Sequence, residues 1–474
     1  MRPSALLILP LLACARPPPA VGPPLPAPPV ADPGVDPWPD HPLLTFFRAL
    51  DEVDLHRPGA QAVVLHLGAS HTASDTFTGP LRRTLQRRFG DAGRGYVAAG
   101  LPWRRFRVVD ARVDASRRWT YPRGTRDDAT GLFGVAGVRS EASRRGAWVR
   151  RATCEGCTEG ATFDHVDVHA LASPDAGSFR IHVDGALEAT VHPVADEPGL
   201  HVTSLDLPDG PHEVEIEVVG DGPVALLGLQ TTRAVPGVRY HNLGINGSRA
   251  DHWLRMADPV IVAEVARLDP DLLVLHWGTN ESTAYLPPDP ATATPEDFAR
   301  AARRQVDTYL QMLARLRAGA PHASCLLVLP SDLVPASHPA LPGREDPCPP
   351  PETTPNDPEA SALPPEDDAP LAPAPLCERP VPPSLTAIAD AQREVARRAG
   401  CATWDTQAAM GGPGAGNRWR AAEPPLMRDD GIHPTFAGYT LLAEGLADDL
   451  LRTWEGWHTT PPGDTPLPTT PVAP

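Results

Sequence analysis

The chain is short of features that would name a chemistry at once. Beyond residue 14 it has no apolar run long enough to cross a bilayer. It has no G-x-S-x-G elbow, the usual device for lifting a hydrolase nucleophile into reach. The glycine loop at 411–416 is without the lysine and the following Ser/Thr of a phosphate-binding loop. Cys154-x-x-Cys157 has no second ligand pair to make a zinc site and no strand-to-helix context to make a redox motif, so a local disulfide is expected. No convincing metal set is present elsewhere; neither metal nor cofactor is expected. Positive charge is in the minority, 42 Lys+Arg against 59 Asp+Glu, for a formal net charge of −17, which argues against nucleic acid as a partner.

Proline is what the chain has in quantity, 60 of 474 residues. Residues 1–14 read as an export signal, with Arg2 supplying positive charge and residues 6–12 an apolar run. They end in Leu11-Leu12-Ala13-Cys14, which resembles a bacterial lipobox. Lipidation at Cys14 would anchor the protein to a membrane through buried CH₂ groups. The alternative is an ordinary signal peptide with a chance cysteine. Ala15 rather than Asp after the cysteine favours, by analogy, the outer membrane facing the periplasm. Residues 15–41, rich in Pro, Ala and Val, read as a stiff tether.

The next stretch is α/β in texture. Val63-Val64-Leu65-His66-Leu67 has the pattern of a buried parallel strand; it breaks at Gly68, and Ser70 follows. Strand, glycine turn, serine and helix is the geometry that carries a nucleophile to the carboxyl edge of a sheet. The alternative is that Ser70 only caps the next helix. Between 104 and 235 the helical period disappears. Short alternating segments such as Phe179-Arg180-Ile181-His182-Val183 are separated by Asp-Gly turns, and an inserted antiparallel β-sandwich is expected there, either sugar-binding or a rigid spacer. The α/β texture returns with a strand at 238–243, a loop holding Gly247, and a helix over 250–268. Asp271-Leu272-Leu273-Val274-Leu275-His276-Trp277 is the next strand and runs into Gly278-Thr279-Asn280-Glu281. Residues 333–383 are Pro-, Asp- and Glu-rich and read as a disordered loop. Asp430-Gly431-Ile432-His433 then stands just before a helix from Phe436, spaced so that the carboxylate can orient the imidazole. The Thr/Pro-rich tail at 458–474 is expected to be mobile.

Ser70, Gly247, Asn280 and the Asp430/His433 pair each follow, or lie near, an expected strand end. This ordered set resembles the SGNH (GDSL-type) hydrolase superfamily. The resemblance implies an α/β fold, a parallel sheet flanked by helices in a flavodoxin-like three-layer arrangement, over 42–103 and 236–457. It also implies a triad of Ser70, His433 and Asp430, and an oxyanion hole from Ser70, Gly247 and Asn280. The insertion at 104–235, Leu243-Gly244-Ile245-Asn246-Gly247, Trp277-Gly278-Thr279-Asn280-Glu281 and the 411–414 glycine loop narrow it. Together they look like bacterial envelope SGNH proteins related to peptidoglycan O-acetylesterases, whose inserted domain resembles a carbohydrate-binding module. Two positions depart from that pattern: Ala69 stands for an Asp before the nucleophile, and Glu281 for an Asp after Asn280. The implied function is a serine esterase removing O-acetyl groups from a cell-envelope glycan. An O-acetyltransferase and a non-catalytic wall-binding lipoprotein are the alternatives. His66, His71 and His276 are expected near the strand ends in core, substrate-contact or catalytic roles.

Leaving out Cys14, the other six of the seven cysteines suggest three pairs. Cys154 and Cys157 are local, and Cys348 with Cys377 would close the Pro-rich loop. Cys325 and Cys401 each begin an expected strand, and adjacent parallel strands bring such positions within disulfide reach. Two buried free thiols are the alternative.

Overall fold

The computed structural model describes residues 41–73, 75–104, 106–125, 131–287, 292–335, 378–458 and 469–472. Five parallel strands make its central sheet: Gln61–Gly68, Gly237–Gly244, Leu272–His276, Ser324–Val328 and Ala402–Trp404. Taken in chain order they lie side by side as 2-1-3-4-5, so the first strand is flanked by the second and third. All but the first of its residues are buried, as expected of a parallel strand covered on both faces. Its side chains alternate between two cores. Val64 joins apolar side chains from helices Leu44–Asp54, Thr78–Phe89 and Phe436–Trp457. Leu65 and Leu67 join those from Asp258–Leu268, Pro295–Gly319 and Pro383–Ala399. Parallel register puts Gly68, Gly244 and His276 at one level, so the segments after them emerge together at the carboxyl edge.

Two antiparallel sheets are inserted between the first and second parallel strands. One has the order Ala111–Ala115, Trp148–Thr153, Glu213–Val218, Phe179–Val183, Ala186–Val191. The other runs Gly95–Val97, Val224–Thr232, Phe163–Ala172, Gly199–Gly210, with Ser140–Ala142 also paired to Val224–Thr232. Val149, Ile181 and Ile216 of the first sheet share one apolar cluster with Val166, Val168 and Leu226 of the second.

Several expectations need correction. Gly95–Val97, inside the span 42–103 expected to be α/β, is a strand that pairs antiparallel with Val224–Thr232. The single helix expected over 250–268 is two, Ala250–Arg255 and Asp258–Leu268, because Met256 and Ala257 are extended. Pro259 lies in the first turn of the second helix, where its missing N–H costs nothing. The ends of the stretch read as a disordered loop are built into the fold. Leu333 and Val334 are buried, and Val334 donates its N–H to the Gly431 carbonyl at 2.8 Å. Arg379 is buried too, its N–H on Asn417 Oδ1 at 3.0 Å. The rest of that stretch, 336–377 with Cys348 and Cys377, lies outside the described residues, as do the signal, Cys14 and the tether up to residue 40. In the tail, the Val472 N–H reaches the Ala409 carbonyl at 2.8 Å and Thr470 Oγ1 donates to the buried Asp449 at 3.0 Å. A Thr/Pro composition did not reveal that these hydroxyl and backbone groups have a buried partner.

Cys154 is bonded to Cys157, and Cys325 to Cys401 with their Cα atoms 4.8 Å apart. The second bond joins the starts of neighbouring parallel strands, at the edge opposite Gly68. It closes a separation of 76 residues. Loop-closure entropy for such a length corresponds to roughly 4 kcal/mol. Non-reducing peptide mapping of exported protein is expected to recover a Cys325–Cys401 cross-linked peptide. Cys325→Ala/Cys401→Ala protein should unfold at lower urea by about that free energy; an unchanged midpoint would show that the bond adds nothing.

Candidate active site

The site begins with two glycines. A Cβ on Gly68 would fall on Thr72 Oγ1 and within 2.7 Å of the His276 carbonyl, and one on Gly244 would lie 2.6 Å from Ala73 Cα. Without them the short helix Ser70–Ala73 sits directly on three strand ends. Ala69, buried at the turn, donates its N–H to the His276 carbonyl at 3.3 Å.

The Ser70 hydroxyl lies 2.9 Å from His433 Nε2. His433 Nδ1 lies 2.8 Å from Asp430 Oδ2. The other carboxylate oxygen, Oδ1, accepts the N–H groups of Ile432 at 2.8 Å and His433 at 2.9 Å. Burial would raise the Asp430 carboxyl, but the bond from the His433 ring, that ring's charge and the two N–H groups outweigh it and hold the pKa at about 2. Asp430 therefore stays an acceptor and fixes which His433 nitrogen faces Ser70. The turn is held by Arg428, whose N–H donates to the His433 carbonyl at 2.9 Å, and by the Met427–Pro434 bridge.

Gly247 lies in the loop after Gly237–Gly244, exposed and with φ +71°, a conformation that favours glycine. Asn280 opens the short helix Glu281–Ala284, and its Nδ2 donates to the Ser248 carbonyl at 2.9 Å. An amide nitrogen carries two hydrogens, so one remains. Ser248 Oγ donates to the Gly68 carbonyl at 3.0 Å and receives Trp277 Nε1–H at 2.9 Å. The three loops are thus tied to one another. Chemically the arrangement offers a hydroxyl with a base on it, an acid-oriented base, and amide donors on neighbouring loops, the parts needed for acyl transfer. Among the described residues no group of three or more His, Cys, Asp or Glu side chains could hold a metal.

Glu281 gains a role that the sequence did not assign it, and three histidines take the buried role that was one of those expected. Glu281 is fully buried; Oε1 accepts the Ala250 N–H and Oε2 the Gly278 N–H, both at 2.9 Å, so one carboxylate ties the helix after the Gly247 loop to the Asn280 turn. Burial raises its pKa to about 7 against the pull of those N–H groups. The only signal in the sequence was its place after Asn280. His71, His276 and His66 form a buried row behind Ser70. His71 lies with its ring 5.2 Å from that of His433, Nδ1 on Tyr439 Oη at 2.9 Å and Nε2 on Thr279 Oγ1 at 3.4 Å. His276 and His66 flank Thr72, and His66 Nδ1 meets Tyr240 Oη at 2.6 Å. Burial lowers His71 and His66 to about 3 and His276 well below its ordinary value, so all three rings are neutral at pH 7.

Glu281 gives a stability prediction. Its folded pKa of about 7 exceeds the ordinary 4.5, so the folded chain binds the extra proton between those values. Its contribution to stability is present below pH 4.5 and lost as pH rises through 7, roughly 3 kcal/mol in all. In Glu281→Gln, the fall of denaturation midpoint between pH 5 and 8 should be smaller than in the parent, as urea titrations would read. An identical fall in both would assign the effect elsewhere.

Residues 217–441 match the model of the GDSL-like Lipase/Acylhydrolase family. That span holds Gly247, Asn280, Asp430 and His433 but not Ser70, which only the fold brings to them. Among solved structures, a peptidoglycan O-acetylesterase is similar over 89% of this chain and 99% of its own, at 22% identity and a TM-score of 0.64, a likeness of fold. A family two carbohydrate esterase from Cellvibrio japonicus covers 76% of this chain and 98% of its own at 12% identity, with a TM-score of 0.26 that carries no argument. No relative among curated proteins matches. With that family match and that fold, the chain carries a GDSL-like lipase/acylhydrolase domain and is a hydrolytic esterase.

Proposed function

We propose that this esterase removes O-acetyl groups from a cell-envelope glycan, peptidoglycan in the first instance, through an acyl-enzyme on Ser70. The observation that carries the reading is the unbroken chain of hydrogen bonds from Asp430 through His433 to Ser70 at the carboxyl edge of the sheet. In this mechanism His433 Nε2 takes the Ser70 proton as Oγ attacks the acetyl carbonyl. Asp430 steadies the imidazolium. The N–H groups of Ser70 and Gly247 and the second Asn280 amide hydrogen stabilise the oxyanion. His433 then gives its proton to the departing sugar oxygen, which leaves as the free hydroxyl, and water, activated by the same imidazole, attacks the acetyl-Ser70 ester and releases acetate. Support for a glycan substrate comes from the likeness of fold to a solved peptidoglycan O-acetylesterase.

A transferase would use the same groups and differ in shielding the acyl-enzyme from water. A non-catalytic role is set aside because the chain carries an acylhydrolase domain. We further read the inserted sheets as a β-sandwich, supported by their shared apolar cluster, and the α/β part as flavodoxin-like in its layers, supported by the 2-1-3-4-5 strand order. Cys14 is proposed as a lipid anchor to the outer membrane on the periplasmic side, supported by Leu11-Leu12-Ala13-Cys14.

Acetate release from O-acetylated peptidoglycan and from p-nitrophenyl acetate is the test. Ser70→Ala and His433→Ala should each lose at least about 10⁴-fold in kcat, and Asp430→Asn should leave a small remainder. Asn280→Ala should lose about 100-fold. Ser70→Ala protein with the parent's turnover would end the assignment. Acetyl appearing on an added sugar instead of in solution would make the protein a transferase. Because Asp430 stays ionised down to about pH 2, no acid limb of the rate above pH 3 should follow its titration. For the anchor, Cys14→Ala should move the protein from the membrane to the soluble fraction; unchanged fractionation would count against lipidation.

A further inference from the structure

We propose that Arg428 is a specificity residue of this site, its guanidinium taking up a carboxylate that the glycan carries close to the acetyl ester; the inference rests on the esterase reading above. Arg428 faces His433 across the turn that holds the triad, giving its N–H to the His433 carbonyl at 2.9 Å and its carbonyl to Gly431 N–H at 3.0 Å. Its side chain is half-buried, and Nε is shut off from solvent with no hydrogen-bond partner. Among the described residues it forms no ion pair, although Asp429 and Asp430 follow it directly. Its charge disfavours the protonated ring of His71, the residue after Ser70, and favours the ionised phenol of Tyr439.

Other buried cations of the chain have partners. Arg82 is paired with Asp110 and Arg94 with Asp75 at 2.6 Å, while Arg151, without an ion pair among the described residues, donates to the carbonyls of Gly95 and Leu229 and to the Thr231 hydroxyl. At the triad, the Asp430 carboxylate is already engaged by His433, and His66, His71 and His276 are neutral. Arg428 is thus a cation on the triad's own turn whose Nε has no hydrogen-bond partner and which has no ion pair among the described residues. The chain has no lysine, so its 42 basic residues are all arginine. A partly desolvated guanidinium without an anion is costly, and a planar carboxylate on its fork offsets that cost with two parallel hydrogen bonds. One cation matches one negative charge, which favours a carboxylate over a dianionic phosphate. In an envelope glycan that carboxylate is borne either by a lactyl ether or peptide stem, or by a uronic acid.

Four acetyl esters separate these sources: O-acetylated muramic acid with its carboxylate free and as the amide, and O-acetylated glucuronic acid with its carboxylate free and as the amide. The reading is the ratio of kcat/KM for each acid to that for its amide. A hydrogen-bonded charge pair predicts a ratio of roughly 10 to 100 for one of the two acids in the parent protein. Arg428→Gln should bring that ratio close to one, and Arg428→Lys should keep part of it. Raising ionic strength from about 0.02 to about 0.5 M should lower the ratio in the parent, a measurement that needs no variant. A parent ratio near one on both sugars, a ratio unmoved by Arg428→Gln, or a ratio indifferent to salt would overturn the inference while leaving the esterase reading intact. Absence of acetate release from all four esters would overturn both.

Discussion

Everything at this site depends on one close approach, that of the Ser70–Ala73 helix to the ends of three parallel strands. Its distance is set by what Gly68 and Gly244 lack. A methyl group on either would strike the helix or the His276 carbonyl, and the helix would have to lift. Ser70 would lift with it, away from a His433 held on a separate turn by Asp430 and Arg428. The catalytic hydrogen bond, 2.9 Å long, joins residues 363 apart in sequence, and it has no tolerance for an added methyl layer.

Around that contact the protein has placed polar groups in its core and satisfied them with neighbours that are themselves part of the site. Glu281 spends both oxygens on backbone N–H groups of the two loops that carry Gly247 and Asn280. A shorter Asp would have to leave one of those groups unmet or draw the loops closer, which gives the glutamate at this position a physical reason. The His71, His276, His66 row does comparable work on the other side. Each ring is kept neutral by burial, so none competes with Ser70 for the proton on His433, and none repels the imidazolium that forms there. Ala69 takes only a backbone role at the turn, which is why the lack of an acid there leaves the contact between Ser70 and His433 in place.

How much of this could be read in the sequence follows from the range of each interaction. Val63-Val64-Leu65-His66-Leu67 and Leu272-Leu273-Val274-Leu275 are local patterns, and both are strands of the parallel sheet. Asp430 and His433 are three apart, so their contact was legible from spacing. Cys325 and Cys401 were legible once their strands were taken as neighbours. What stayed hidden was long-range. Gly95–Val97 joins a strand more than a hundred residues away, and no local pattern in Gly-Tyr-Val says so. Thr470 ends on Asp449 and Arg379 on Asn417, contacts that composition averages away inside Thr/Pro-rich and Pro/Asp/Glu-rich stretches. The break at Met256 and Ala257 was signalled by Pro259, but an apolar period continuing on both sides concealed it.

The same reasoning explains how the nucleophile strand can stand so far in sequence from its partners. The family match begins at residue 217, well after Ser70, because the two inserted sheets separate the first strand from the second. In space the interruption is small. The chain leaves the α/β part at Gly90 and returns at Gly237; Val238 donates its N–H to the Gly90 carbonyl at 2.9 Å, and a Cβ on Gly237 would lie 2.5 Å from that oxygen. Exit and return are in backbone contact, so the insertion closes almost no loop of its own and leaves the pairing of Gln61–Gly68 with Gly237–Gly244 in register along its whole length. The inserted sheets are then held down by groups from both parts. His169 of Phe163–Ala172 meets Glu264 of Asp258–Leu268 at 2.8 Å, both fully buried, with Tyr96 on the same carboxylate at 2.9 Å. Glu264 also accepts the Val135 N–H at 2.6 Å, and removing any one partner would leave a buried carboxylate short of a hydrogen bond, which is costly. That makes the insert a fixed wall beside the strands that carry Ser70 and Gly247, and whatever it does to a glycan it must do from a set position.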